Sequence, residues 1–387
     1  TTEIYTLSLH DALPIYECGG CGLMHMDYPL QLAFKKYRIE TTLKRAGLGH
    51  VEVMDTIGMA IPYHYRNKIE VKFQNSEKGI EAGFFQAKSH RLVNLLECHI
   101  MSKRTMDVIT LLKNIFNELK ISAYDERTKQ GLVHSAVIRE SSKTHQMNVL
   151  LHTTSPLLEH KETIIKKLTA KIPELVGIAR TNATDPSSLA SDPIDIWFGK
   201  DVLMDAIGEL QFSIGYRSFY QVNAIQTEKL YAKAIEYADL TGKERVIDAY
   251  SGIGTIALSV AKKVSKVFGI EIVKSAVADA RKNADLNQIT NAFFEVGEAE
   301  TVIKKWQKYK FDCIFVDPPR KGMDKALIQT IIDMKIPKIV YVSCDPATLV
   351  RDLKTLTDGG YVVKEITPVD MFPQSTSIES VSLLTLK

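Results

Sequence analysis

The stretch Pro337-Lys-Ile-Val-Tyr-Val-Ser-Cys-Asp-Pro-Ala-Thr348 decides the fold of this chain. Its first half, residues 337–343, is apolar and rich in β-branched side chains, which is typical of a buried parallel strand. Pro346 suits the first turn of a helix that continues to Lys354, because its fixed φ and missing N–H are tolerated there. The pattern therefore predicts that Cys344 lies at the carboxyl end of a strand, the edge where open α/β sheets bind ligands.

Cys344 has two interpretations at this place. A thiol beside a helix N-terminus has its thiolate favoured by the helix dipole and by free N–H groups, which indicates a covalent nucleophile. A lone cysteine is more often a small buried core residue. The motifs on the neighbouring strands favour the nucleophile.

Length and composition set the frame for the rest of the chain. The 387 residues, 45% of them hydrophobic, suffice for two or three domains, and a formal net charge of +3 permits a polyanionic partner without requiring one. No apolar run of about 18 residues appears, so no membrane-spanning helix is expected. Residues 1–16 lack an initiator Met and the basic start and apolar core of a signal peptide. We therefore expect an atypical leader outside the fold, and a cytoplasmic monomer without membrane contact.

The cysteines indicate a reducing compartment. Their number is odd and two of them are spaced C-x-x-C, a pattern that fits metal or catalytic thiols better than a disulfide framework. Glycines between Cys18 and Cys21 let the backbone fold tightly around a cluster, so these two are candidate iron–sulfur or zinc ligands, with Cys98 as a third. An empty turn is the alternative. Cys313 lies within a predicted strand and is expected in the core.

Residues 17–207 are predicted to form an α+β region. Strands between residues 61 and 85 interleave aromatic side chains with basic ones, among them Arg66 and Lys68, a mixture that suits stacking on unpaired bases and contact with phosphates. An ordinary half-buried sheet is the alternative. Helices are expected at 30–48, 102–120 and 159–172. The helix at 30–48 is predicted to pack on the domain that begins at residue 208.

From residue 208, strands and helices alternate to the end of the chain. Such alternation predicts a doubly wound, Rossmann-like sheet, mainly parallel, with helices on both faces. The last of its seven strands follows a loop and is expected to be antiparallel. The predicted strands lie at 245–250, 266–271, 292–296, 311–317, 337–343, 361–366 and 381–386.

Two strand ends of this sheet carry a ligand-binding pattern. The first strand ends in Asp248-Ala-Tyr-Ser-Gly-Ile-Gly254, where Gly252 and Gly254 let the backbone approach a ligand closely. The second ends in Glu271, a carboxylate placed to accept hydrogen bonds from both ribose hydroxyls of a nucleotide-like cofactor. Ala257 stands where a dehydrogenase usually has a third glycine, so NAD is disfavoured.

The fourth strand ends in Asp317-Pro-Pro-Arg-Lys-Gly322. Pro318 and Pro319 stiffen this turn, so that the carboxylate of Asp317 and nearby carbonyls are held towards a ligand. A D-P-P turn in this position resembles those of methyltransferases that act on a nitrogen or carbon of a base.

Four ordered motifs together resemble the RNA (uracil-5-)-methyltransferase family, most closely its iron–sulfur 23S ribosomal RNA enzymes. The likeness runs from Cys18 to the C-terminus and implies an RNA-binding domain before a methyltransferase sheet. The motifs are Asp248–Gly254, Asp317–Gly322, Val342–Thr348 and Asp370-Met-Phe-Pro-Gln374 with Glu379.

The resemblance implies roles for the matched residues. Cys344 is the nucleophile and Glu379 the base, while Asp317 and Arg320 position the uracil. A structural ion pair is the alternative for Arg320. The implied cofactor is S-adenosyl-L-methionine, and the residues that line its site are Gln221, Tyr250, Glu271 and Asp317.

The resemblance also covers the first half of the chain. Tyr65-Arg-Asn-Lys68 matches a run of the family's central domain, which places Arg66 and Lys68 among the RNA contacts. Cys18, Cys21 and Cys98 match three of the ligands of a [4Fe–4S] cluster. Ala12 stands upstream of Cys18 at the place where the first ligand cysteine is expected.

The implied reaction is methylation of C5 of a uridine, in 23S ribosomal RNA or, as the alternative, in transfer RNA. Addition of the Cys344 thiolate to C6 gives C5 the electron density that it lacks, and Glu379 then removes the C5 proton. A methyltransferase acting on a protein or small molecule would not need Cys344. A noncatalytic RNA-binding protein would bind RNA without binding the cofactor.

Overall fold

The computed structural model describes residues 17–86, 89, 91–182 and 192–387 and divides the chain into two compact units. The expected leader 1–16, with Ala12, lies outside the described residues. Within them, no helix is long and apolar enough to cross a membrane. The first unit comprises the described residues up to His25, Tyr63–Asp205 and Gly215–Arg217; the second comprises Met26–Pro62, Ala206–Ile214 and Ser218–Lys387.

Helices and strands are numbered in chain order. The helices are α1 (Tyr28–Arg45), α2 (Lys103–Glu118), α3 (Lys161–Lys171), α4 (Ala224–Ala238), α5 (Thr255–Ala261), α6 (Lys274–Leu286), α7 (Ala299–Lys305), α8 (Lys325–Met334) and α9 (Pro346–Asp358). The strands are β1 (Glu52–Val53), β2 (Lys68–Ser76), β3 (Gly79–Phe85), β4 (Leu92–Asn94), β5 (Val133–Glu140), β6 (Met147–Thr153), β7 (Leu175–Thr181), β8 (Ile194–Gly199), β9 (Val202–Ile207), β10 (Leu210–Gly215), β11 (Arg245–Asp248), β12 (Lys266–Glu271), β13 (Ala292–Val296), β14 (Cys313–Val316), β15 (Lys338–Ser343), β16 (Tyr361–Val369) and β17 (Glu379–Leu386).

The second unit is built on an eight-stranded sheet in the order β1-β16-β17-β15-β14-β11-β12-β13. Neighbouring strands pair in parallel, except that β17 runs antiparallel to both β15 and β16. The predicted doubly wound, mainly parallel sheet with an antiparallel last strand is confirmed. Its chain order reverses between β11 and β14, the type of switch point at which open α/β sheets bind ligands.

The predicted number of seven strands was wrong by one. The additional strand is β1, in which Glu52 and Val53 pair in parallel with Glu365 and Ile366 of β16. A strand of two residues is too short to show an alternating or continuous apolar pattern, so only tertiary pairing reveals it. Together with α1, it belongs to the second unit, whereas the expected domain boundary lay at residue 208.

A buried carboxylate links β15 to the turn that follows β14. Asp352 of α9 is 1% exposed, and its Oδ2 accepts hydrogen bonds from the Tyr341 hydroxyl of β15 and from Met323 N in the turn after β14, both at 2.8 Å. Gly322 precedes Met323 with a φ of +78°, and a Cβ there would lie 2.7 Å from Asp352 Oδ2. The turn that begins at Asp317 is therefore held against β15 and α9.

The first unit contains a seven-stranded sheet in the order β4-β3-β2-β5-β6-β7-β8. Among these described strands, β6 and β7 pair in parallel across the connection that contains α3, and the other pairs are antiparallel. Helices α2 and α3 lie close to their predicted positions, and both pack their apolar faces into the core of this unit. The helical contribution to that core includes Val108, Leu112, Ile164 and Leu168.

Replacing Tyr341 by Phe removes a donor to a buried carboxylate, so we expect the second unit to lose about 1–2 kcal/mol of unfolding free energy. Urea unfolding followed by the fluorescence of Trp306, in a Trp197→Phe background, reports on this unit because Trp306 packs against its core. Tyr309→Phe, at a side chain that is 39% exposed, is the matched control. A loss no larger than that of the control would show that the hydrogen bond to Asp352 contributes little.

Candidate active site

Backbone pairing brings three strand ends to one edge of the sheet in the second unit. Ser343, the last residue of β15, pairs with Ser380 of β17. Because β17 runs antiparallel, its first residue, Glu379, lies at the edge where the parallel strands end. On the other side of β15, the parallel strand β14 ends at the same edge. The side chains whose charges interact there are those of Asp317, Arg320, Cys344 and Glu379.

Cys344 is half-buried between β15 and α9. The next residue, Asp345, is the N-cap of α9, and its Oδ1 accepts hydrogen bonds from Ala347 N and Thr348 N, both at 2.9 Å. These N–H groups at the start of the helix are therefore bonded to Asp345 and are not available to the thiol.

The surroundings of Cys344 favour its neutral form. Burial, and then the charges of Glu379 and Asp317, raise the pKa of Cys344 to about 11, while the charge of Arg320 opposes them. Lost hydration and negative neighbours therefore outweigh the expected effect of the helix end on the Cys344 thiolate. A thiol with this pKa is protonated at neutral pH, so its proton must leave before it acts as a nucleophile.

Two carboxyl groups share this environment. Glu379 is 5% exposed, and burial, followed by the charge of Asp317, raises its pKa well above the usual value, while Arg320 opposes the shift. Asp317 is half-buried after β14, and burial raises its pKa to about 7. Such shifts are uncommon for surface carboxylates and are typical of functional acids and bases.

The glycine turn after β11 is fastened to the neighbouring strand by Glu271. Gly252 and Gly254 have φ values of +52° and +88°, a region that favours glycine, and a Cβ at Gly254 would lie 3.1 Å from the Phe294 ring. Glu271 Oε2 accepts a hydrogen bond from Gly252 N at 3.1 Å, and its Oε1 accepts one from Val273 N at 2.8 Å. Each carboxylate oxygen keeps a second acceptor position, so the bonds to ribose hydroxyls stay a prediction that this geometry permits.

Asp248 is a buried acid to which sequence reasoning assigned no role of its own. It ends β11, is fully buried, and burial raises its pKa to about 7. Its Oδ2 accepts a hydrogen bond from Ala257 N at 2.9 Å, whereas its Oδ1 and the buried Ser251 Oγ have no hydrogen-bond partner among the described residues. Buried polar atoms without partners indicate a polar ligand. The signal for Asp248 was its place at the end of a buried strand, directly before the glycine turn.

Two further residues expected at the cofactor site lie in the same unit. Gln221 is 7% exposed, in the segment between β10 and α4. Tyr250, two residues after β11, is half-buried and packs against the hydrophobic core of the unit, where burial raises its pKa. The contacts of both side chains with a cofactor stay predictions.

Arg66 and Lys68 belong to the first unit. Both side chains are half-buried, and Arg66 Nε donates a hydrogen bond to Lys68 O at 3.0 Å. Burial, and then the charges of Arg139 and Arg66, lower the pKa of Lys68 to about 8, while Glu70 opposes them. The three cationic side chains are thus near enough to repel one another, and a bound anion would relieve that repulsion.

Cys18, Cys21 and Cys98 lie near one another in the first unit. Burial, and then the charges of Cys98 and Cys18, raise the pKa of Cys21 to about 12. Within the described residues, however, no group of three or more His, Cys, Asp or Glu side chains is arranged to hold a metal ion. These residues do not by themselves complete a metal site, and the iron–sulfur cluster stays a prediction. Cys313 is 1% exposed in the core, as predicted.

The charges around Cys344 predict opposite pKa shifts in two variants. Asp317→Asn removes a negative charge, so we expect the pKa of Cys344 to fall below about 11, whereas Arg320→Met removes a positive charge and should raise it. The rate of alkylation by iodoacetamide as a function of pH, in protein without RNA, measures both shifts. Cys344→Ser gives the background from the remaining cysteines. Identical profiles in the two variants would contradict the electrostatic account.

Comparison with known proteins identifies the family. The model of the tRNA (uracil-5-)-methyltransferase family matches residues 27–387. An uncharacterized RNA methyltransferase of Halalkalibacterium halodurans is 45% identical over 379 residues, covering 97% of this chain and 83% of that protein, and one of Listeria innocua is 44% identical over 373 residues, covering 96% and 82%. The crystal structure of Pyrococcus abyssi tRNA (uracil-54, C5)-methyltransferase in complex with S-adenosyl-L-homocysteine has a TM-score of 0.76 and 28% identity, covering 95% of this chain and 86% of that one. The chain therefore belongs to the RNA uracil-5-methyltransferase family and is an RNA methyltransferase.

Proposed function

We propose that this enzyme methylates C5 of a uridine in RNA through a covalent adduct, with Cys344 as the nucleophile and Glu379 as the base. The observation that carries the proposal is the meeting of a half-buried cysteine with two carboxyl groups of raised pKa at one sheet edge. The family of the chain supplies the reaction class.

The residue types suit this chemistry. C5 of uracil is a poor nucleophile, and addition of the Cys344 thiolate to C6 moves the electrons of the C5–C6 double bond onto C5 and O4. C5 then takes the methyl group from the sulfonium donor, and the electron pair of the broken S–C bond stays on the donor sulfur. Glu379 removes the remaining C5 proton, its electrons re-form the double bond, the C6–S bond breaks, and Cys344 leaves as a thiolate.

The position of Arg320 supports a role in this site. Its positive charge favours the ionised forms of both Cys344 and Glu379, which are the forms that act in the reaction. We assign Asp317 and Arg320 to the positioning of the uracil.

S-adenosyl-L-methionine, the cofactor supported by the family, supplies an electrophilic methyl group when bound. The glycine turn and the partnerless atoms of Asp248 and Ser251 fit a ligand that carries polar groups. We propose that these residues hold it, together with Glu271, Gln221 and Tyr250 of the same unit. Bringing the donor and C5 together in one orientation is then the main contribution of the protein.

Two kinds of RNA are candidate substrates. The motifs resemble those of ribosomal RNA enzymes, which makes 23S ribosomal RNA the first candidate. Transfer RNA is the second, because the Pyrococcus abyssi enzyme and the matched family carry transfer RNA in their names. In either case we propose that Arg66 and Lys68, both half-buried, contact phosphates of the RNA.

Covalent catalysis predicts that Cys344→Ala loses methylation by at least about a thousandfold, because C5 is no longer activated. Transfer of labelled methyl groups to unmodified ribosomal and transfer RNA, with the modified position mapped, measures this and separates the two substrates. RNA with 5-fluorouridine should remain covalently joined to Cys344, because a base cannot remove fluorine from C5 as it removes a proton.

Full activity of Cys344→Ala would instead support a non-covalent methyltransferase. RNA binding without cofactor binding in calorimetry would support a noncatalytic protein.

The resemblance also predicts an iron–sulfur cluster at Cys18, Cys21 and Cys98. No step of the reaction above depends on it. Iron and sulfide analysis after anaerobic purification should find both, and Cys21→Ser should lower the content, because removal of a thiolate ligand weakens a cluster. Cys313→Ser, at a core cysteine, is the control. If the protein contained no iron, the prediction of a cluster would be contradicted, and Cys18, Cys21 and Cys98 would be three neighbouring thiols.

A further inference from the structure

One face of α1 bonds to the connection between β16 and β17, residues 370–378. The side chains that do so recur every three or four residues, the spacing that places them on one face of a helix. Each of them donates a hydrogen bond to the connection. We refer to these four residues as the clamp: Tyr28, Gln31, Lys35 and Arg38.

The centre of the clamp is an ion pair without access to water. Lys35 Nζ lies 2.5 Å from Asp370 Oδ1, and the two side chains are 1% and 0% exposed. Lys35 Nζ also donates to Phe372 O at 3.0 Å, and the Tyr28 hydroxyl donates to Asp370 Oδ2 at 2.9 Å. Desolvation makes such a pair a poor source of stability compared with apolar packing, so its value lies in fixing one geometry.

The clamp holds the middle of the connection as well. Gln31 Nε2 donates to Gln374 Oε1 at 2.9 Å, and Gln374 N donates to Gln31 Oε1 at 3.0 Å. Gln374 has a φ of +71°, a conformation that L side chains rarely adopt, so these paired bonds hold a strained residue in place. Arg38 Nη1 donates to Thr376 O at 2.9 Å. Bonds therefore run along the connection from Asp370 to Thr376.

Both sides of this contact are rigidly supported. Ile39 and Leu43 of α1 are buried in the hydrophobic core of the second unit, which fixes the helix that carries the clamp. From α4 and its N-cap, Gln226 Nε2 donates to Asp370 O and Asn223 Nδ2 donates to Met371 O, both at 3.0 Å. The connection is thus held from two helices.

The connection leads directly to Glu379. Val369, the last residue of β16, pairs with Glu379 in the antiparallel register, so residues 370–378 form a loop that closes at this pair. Where the loop returns to the sheet decides where the Glu379 carboxyl lies. A carboxyl that must reach one proton on C5 tolerates little displacement.

We propose that the clamp positions Glu379 for removal of the C5 proton, with Lys35 as the central positioning residue. This inference rests on the proposed function, in which Glu379 is the base. The clamp bonds to the connection that precedes Glu379, so we expect it to act on the last step. In that step the proton passes from C5 to the Glu379 carboxylate, the C5–C6 double bond re-forms, and the C6–S bond to Cys344 breaks.

The test is Lys35→Met in the full-length enzyme, which removes the charge and keeps the length of the side chain. In single-turnover reactions with RNA and labelled donor, we expect the methylated enzyme–RNA adduct to decay about tenfold or more slowly and to accumulate on denaturing gels. Glu379→Gln should accumulate the same adduct. Formation of the adduct and binding of the donor, measured by calorimetry, should change by less than about threefold.

Lys36→Met is the matched control. Lys36 neighbours Lys35 on α1 but forms an exposed ion pair with Asp55 at 2.8 Å, with side-chain exposures of 29% and 97%. We expect adduct decay at the wild-type rate in this variant. If Lys35→Met does not fold, Arg38→Met at the exposed end of the clamp should show a smaller slowing of the same step.

Three outcomes would overturn the inference. One is wild-type decay in both Lys35→Met and Arg38→Met while Glu379→Gln holds the adduct, which leaves the proposed function intact. Another is an equal loss in adduct formation, adduct decay and donor binding, which indicates a general structural role. The third is the absence of an adduct in Glu379→Gln, which removes the proposed base and the inference with it.

Discussion

Two ladders of backbone hydrogen bonds, one on each side of β15, are the constraint on which the candidate site depends. The parallel ladder to β14 brings the turn that begins at Asp317 beside the residues that follow β15. The antiparallel ladder to β17 reverses the direction of the last strand, so that its beginning and not its end faces the same edge. Without that reversal Glu379 would lie at the opposite edge of the sheet from Cys344.

The shared position at this sheet edge also determines the pKa shifts of the site residues. Each ionisable group there loses hydration, and each carboxyl group adds negative potential to its neighbours, so the neutral forms of Cys344, Glu379 and Asp317 are all favoured. Arg320 is the one positive charge that opposes these shifts among the causes identified for Cys344 and Glu379. Any cation that enters would act in the same direction as Arg320. Ionisation of Cys344 and Glu379 is therefore expected to respond to the charge of whatever binds.

Sequence patterns predicted the elements whose signal is local. The buried strands β14 and β15 are continuous apolar runs, and the glycine turn and the D-P-P turn carry their own stereochemistry, so their places followed directly. The direction of the Cys344 pKa shift could not be predicted from the sequence. The groups that cause it, Asp317 and Glu379, lie far from Cys344 in the chain, and only the fold brings them near.

The burial of the polar face of α1 was not predicted from the sequence, for a similar reason. Lys35 and Gln31 have the composition of a solvated helix surface, yet both are at most 1% exposed. Their partners lie in the connection before β17, and Asp370 is separated from Lys35 by 335 positions in the chain. Periodicity identifies which residues share a face, but it does not say whether a polar face meets water or a complementary loop.

The separation of α1 and β1 from the rest of the second unit has a consequence for biosynthesis. During translation α1 leaves the ribosome before residues 63–205 are made, whereas the strand that pairs with β1 and the carboxylate that neutralises Lys35 leave after them. Until then Lys35 must stay in water, and the apolar side of α1 has no core to pack against. The nascent chain therefore needs to keep this segment soluble while residues 63–205 are being made, and a chain interrupted before β16 lacks the partners of both α1 and β1.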